Sequence, residues 1–184
     1  MTTRTLLTFA IALLVSTGFT AQATAFQRDH LTQPEVDLVK EAQVLDKRIE
    51  VFIKAAERRL LVINNSAAAV ANAKQLKKDS ERWGELPTGT RAQLVSDIAR
   101  ILDEAITNID DVSSRDERNP LIHKSLRRLA QAVNSIMAQL KPLAAEAKGD
   151  AEIASFELLH EDAQSILEAA NKLPPEVEKK AKKN

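Results

Sequence analysis

LTQPEVDLVKEAQVLDKRIEVFIKAAERRLLVI, residues 31–63, is the stretch whose reading decides the class of this chain. Leu38, Ala42, Leu45, Ile49, Phe52 and Ala56 follow one another in alternating steps of four and three, the coiled-coil-like seam of a helix packed against near-parallel partners. Lys40, Lys47 and Lys54 recur every seven residues on the opposite side, as a solvated stripe does. Thr32 and Glu35 stand at the spacing of a capping box, and Pro34 falls in the first turn, where a missing N–H costs nothing. No glycine intervenes before Gly84 and no proline between Pro34 and Pro87, so Leu31 to Arg82 reads as one very long helix or two end to end.

Past Ala56 the phase changes. Strict continuation puts Arg59 and Ser66 on the seam, whereas one extra step of four carries it through Leu60, Ile63, Ala67 and Val70, a stutter of the kind that straightens a supercoil. Val51-Phe52-Ile53 and Leu60-Leu61-Val62-Ile63 are apolar over more than one stripe. That width predicts cover on several sides, or a surface kept for a partner. Asn64-Asn65-Ser66 is the weak point, because all three side chains bond readily to local backbone, and a break is expected there if anywhere.

Working outward, the N-terminus reads as a signal peptide, residues 1–25. Arg4 supplies the positive region, Leu6 to Val15 a short apolar core, and Ala21-Gln22-Ala23 and Ala23-Thr24-Ala25 both fit a small-x-small cleavage site, with cleavage after Ala23 or Ala25. The destination this implies is a bacterial periplasm or the cell exterior, with no integral membrane span after cleavage. Cysteine is absent, which removes a lipoprotein site, a disulfide framework and c-type haem attachment. Without Arg4 the 26 basic residues become 25 against 26 acidic ones, a near-neutral balance that argues against a nucleic-acid binder.

The rest reads as further helices. Tyrosine is absent and only Gly84, Gly89 and Gly149 follow the leader, while Ala, Leu, Glu and Lys dominate, so the class is all-α. Trp83 reads as a plug at the end of the bundle, with Gly84 closing the helix. Thr90 with Gln93 opens a second helix, Asn119-Pro120 a third and Asp150 a fourth, with Pro142 bending the third near its Lys148-Gly149 end. The expected fold is an up-and-down helical bundle of four long helices, the first extended or broken near Asn64. It forms one domain over residues 26–173, and 174–184 is a charged tail ending in Lys179, Lys180, Lys182 and Lys183.

Motifs for chemistry are sparse. There is no glycine-rich phosphate loop, nucleophile elbow or His-Glu-x-x-His zinc helix, so an enzyme is not expected. Glu157-Leu158-Leu159-His160 carries the Glu-x-x-His spacing of di-iron bundles, which need it twice; neither His123 nor His30 supplies the second copy. Arg58-Arg59 and Arg127-Arg128 lie on helices beside acidic residues without aromatic interleaving, so a nucleic-acid platform is not expected. Leu31-Thr32-Gln33 resembles the opening of the Leu-Thr-x-x-Gln motif of small periplasmic stress chaperones, but Glu35 takes the last position and no function is carried over. The functional expectation is therefore a non-enzymatic envelope module that binds a protein partner or a second copy of itself, with no catalytic, cofactor or metal residues assigned. The alternative is a ligand- or metal-binding bundle with an interior site near Glu157 and His160.

Overall fold

The computed structural model describes residues 29–64 and 80–175. The leader, Asn65-Ser66 with the alanine-rich run after it, and the tail from Glu176 lie outside the described residues. Within them all regular structure is helical: α1 (Gln33–Glu41), α2 (Leu45–Ile63), α3 (Arg91–Arg115), α4 (Pro120–Ala145) and α5 (Asp150–Asn171), with residues 80–83 also helical just ahead of Gly84. No helix among the described residues is long and apolar enough to cross a membrane.

The first correction concerns the opening stretch. Its heptad seam runs through Ala42, yet the helix stops at Glu41 and a new one starts at Leu45, so α1 and α2 are not collinear. The chain reverses between them, because Glu35 near the start of α1 lies against Arg58 and Arg59 near the end of α2. Arg48 stabilises the corner by donating from Nε to the Ala42 carbonyl at 3.0 Å, and Gln43 donates its side-chain amide to the Lys40 carbonyl at 2.6 Å. Those bonds satisfy carbonyls that a continuous helix would have used internally, and periodicity alone does not register them.

Other local signals are met as the residue types dictate. Thr90 caps α3 from its hydroxyl to the Gln93 amide at 3.3 Å, with the Gln93 side chain returning to the Thr90 amide at 2.9 Å. Asn119 accepts from the Leu121 amide at 3.0 Å ahead of Pro120. Asn64 is the C-cap of α2, so the predicted weak point coincides with a helix end. Two boundaries shift. Helix α4 ends at Ala145, soon after Pro142, and the N-cap of α5 is Gly149 at φ +84, with Asp150 as the first helical residue instead of the cap.

Packing follows cross-links between named positions. Asp46 and Glu50 of α2 pair with Lys124 and Arg128 of α4, and Asn64 meets Gln139, so α2 and α4 run parallel. Arg48 meets Asn108 and Arg59 faces Asp97, which makes α3 antiparallel to α2. Arg91 and Glu152, at the two helix starts, bind each other and set α3 parallel to α5. The contacts between α3 and α4, although consecutive, are slighter than those either makes with α2 or α5; α3 packs chiefly on α5 and α2, and α4 on α5 and α2. Two antiparallel pairs, α2/α3 and α4/α5, thus lie side by side, first helix against first and second against second, as helix pairs stack in α-solenoids. Their shared core is Ile49, Phe52, Ile98, Leu102, Leu129, Ile136 and Ile166, with fellow aliphatics along the same faces.

Candidate functional site

The surface follows from what the core leaves over. Helix α5 turns Leu159, Ala163 and Ile166 inward, and α4 turns Leu129, Val133, Ile136 and Leu140 inward. One further apolar stripe on each helix then has no facing helix among the described residues: Met137, Ala138 and Ala144 on α4, and Ile153 and Phe156 on α5. These line a cleft of about 800 Å³ whose lining comes from α4, α5 and the link between them. Ile153 is 43% exposed at its mouth, although it is a large aliphatic residue. Lys141 stands on the α4 wall and Glu157 with His160 on the α5 wall, all three exposed.

Two readings of the sequence are relocated by this. The apolar surplus expected over Val51 to Ile63 is not left fully open on α2: Val51, Ile53, Leu61, Val62 and Ile63 are half-buried, and among the described residues the exposed large hydrophobics are Val44, Ile153 and Leu158. Glu157 and His160 do share a helix face as their spacing requires, but that face is the wall of an open cleft and not the bundle interior. Among the described residues no three His, Asp or Glu side chains gather as a metal ion requires.

The second notable cluster is buried and was not foreseen. Glu35, fully buried, accepts from Arg59 Nη1 at 2.7 Å and Arg58 Nε at 3.2 Å on one oxygen, and from the Thr32 amide at 2.9 Å on the other. Arg59 also donates to the carbonyls of Ala55 at 2.8 Å and His30 at 2.6 Å, and its Nε lies 3.9 Å from Asp97 of α3. Arg58 gathers the carbonyls of Trp83, Gly84 and Glu85 at 3.2, 3.1 and 2.6 Å, with its guanidinium 5.8 Å from the Trp83 ring centroid. Trp83 is half-buried against the core, in keeping with a plug at the bundle end. Burial alone pushes the Glu35 carboxyl up; the bond and charge of Arg59, the Thr32 amide and the charge of Arg58 outweigh it and hold the carboxyl below the ordinary range.

Arg59 therefore does sit on the buried seam where strict continuation of the heptad places it, and Leu60 beside it is buried too. Helix α1 folded over α2 covers the second face, so both registers are inside. The signal was present in the sequence as Arg59 on the seam three residues after Ala56. Its counter-ion lay 24 positions earlier, beyond the reach of spacing rules.

A third cluster lies where α3 and α5 run side by side. Asp162, half-buried on α5, is pushed up to about 6 by burial first, then by the charges of Asp103 on α3 and Glu161. Elsewhere on α3, Glu104 pairs with His30 Nε2, from the segment before α1, at 2.7 Å.

No protein-family model matches the chain, and no curated protein or solved structure is significantly similar to it. The reading of function therefore rests on this geometry.

Proposed function

We propose that this protein is an exported, non-enzymatic helical module of the cell envelope, acting in the periplasm or outside the cell, and that the α4–α5 groove is its interaction surface. The observation that carries the reading is the apolar groove itself, with Ile153 exposed at its mouth and charged residues only on its walls. Grooves of this form accept an amphipathic helix, whose apolar stripe fills the floor while its flanks meet the charged walls. Export is supported by the Arg4, apolar-core and Ala-x-Ala arrangement of the first 25 residues, together with a chain that lacks cysteine. A non-enzymatic role is supported by the rim: Lys141, Glu157 and His160 are exposed, and among the described residues no nucleophile stands beside a base on the groove walls.

Two measurements test the reading. The mass of the protein recovered from the envelope should correspond to a chain beginning at Thr24 or Phe26; an intact Met1 terminus removes the export half. A photo-crosslinking side chain placed at Ala138, inside the groove, should give a defined protein adduct in the envelope, whereas one at exposed Thr107 on α3 should not. Equal adducts from both sites, or none, remove the interaction half.

A further inference from the structure

We propose that the occupant of the groove is a second copy of this chain, bound through its own α4–α5 groove about a two-fold axis running along the helices. Lys141 of each copy pairs with Glu157 of the other. This inference rests on the groove being an interaction surface and names what fills it.

Charge on the groove is split between its two walls. The groove carries one base on its α4 wall and one acid on its α5 wall, and neither Lys141 nor Glu157 has an ion-pair partner among the described residues. Helices α4 and α5 are antiparallel and joined by a short link. Lys141 lies four residues before Ala145 and Glu157 seven after Asp150, so they differ in height by about 4.5 Å at 1.5 Å per residue. A two-fold axis along the groove sets α4 of one copy opposite α5 of the other at the same height. Each Lys141 then approaches Glu157 of the second copy, and both charges are answered at once by the same rotation.

The apolar floor obeys the same symmetry. Met137 and Ala138 on α4 come to face Ile153 and Phe156 of the second copy, which removes from water the aliphatic surface that one copy leaves open. Because a two-fold uses the same face of both copies, pairing closes at two copies instead of propagating. The whole chain has 26 basic and 26 acidic residues, so net charge does not oppose approach of like copies.

The test is the mass of the purified protein in solution together with apolar dye binding, for the wild type, Lys141→Glu, Glu157→Lys and the double exchange. The wild type should be a dimer that binds little dye. Each single reversal places like charges together twice across the two-fold, and should give a folded monomer whose groove now takes up the dye. The double exchange should restore the dimer and lose the dye. A monomeric wild type that binds dye overturns self-pairing and leaves the groove as a surface for another protein; a monomeric wild type that binds none overturns both. A dimer unmoved by the single reversals, or unrestored by the double exchange, overturns the Lys141–Glu157 pairing.

Discussion

Glu35 of α1 and Arg59 of α2, 24 residues apart, meet at 2.7 Å with both side chains buried. Removing one partner of a buried pair leaves the other charge uncompensated, which costs about 3–5 kcal/mol. Glu35→Ala should therefore lose about that much stability by denaturant titration, and Glu35→Gln somewhat less, since an amide oxygen still accepts from Arg59. If both variants unfold like the wild type, the cluster contributes nothing.

The same carboxylate makes the protein acid-labile. Its folded pKa lies below the ordinary value of 4.5, so the stability it contributes is present above that value and is lost as the pH falls through the folded pKa. The gap between wild type and Glu35→Gln should narrow steadily below about pH 4.5. Thermal melts at stepped pH read this directly, and a constant gap refutes it.

Asp162 acts with the opposite sign. With a folded value of about 6 against an ordinary 3.8, the folded state holds its proton more tightly, so this group costs stability as the pH rises through that window. The shift corresponds to about 3 kcal/mol at 1.4 kcal/mol per unit, and partial solvent access reduces the expected effect to about 1 kcal/mol. Asp162→Asn should raise the melting temperature near pH 7.5 by a few degrees and leave it unchanged near pH 4. An equal effect at both pH values would show that the charge is not the cause.

Gly84 and Gly149 both hold left-handed backbone, at φ +68 and +84, but differ in space. A Cβ at Gly84 would lie 2.9 Å from Pro34 Cγ, whereas at Gly149 it would meet nothing within 4 Å. Gly149→Ala should cost about 1–3 kcal/mol of backbone strain alone, because φ +84 with ψ 148 is essentially glycine-only backbone. Gly84→Ala should cost the strain of its positive φ and more, because α1 must shift away from the loop it touches. A Gly84→Ala loss of no more than about 1 kcal/mol would mean that the contact with Pro34 yields freely.

What was legible in the sequence was local. Caps at Thr90 and Asn119, the end at Gly84 and the inward faces of α3, α4 and α5 all follow from residue type and spacing within a turn or two. The reversal after Glu41 was not, because Ala42 keeps the heptad intact and the corner depends on Arg48 reaching back six residues to the Ala42 carbonyl. The partner of Arg58 and Arg59 was not legible, because Glu35 already had a sufficient role as a capping residue. The groove was half visible: Glu157 and His160 were marked for a shared face, but which side of α5 remains open depends on α3 and α4 packing against it, a relation between distant segments.

The side-by-side arrangement of the two helix pairs changes what the link at residues 116–119 does. It carries the chain from one finished hairpin to the other, and α3 and α4 on either side of it touch only slightly. A nick there would leave both hairpins whole, holding to each other by their faces. A nick at residues 146–149 would instead part α5 from the helix it turns back upon. The two hairpins would stay together because α3 packs on α5 of the other hairpin at least as closely as on α2 of its own, around a core that neither hairpin holds alone.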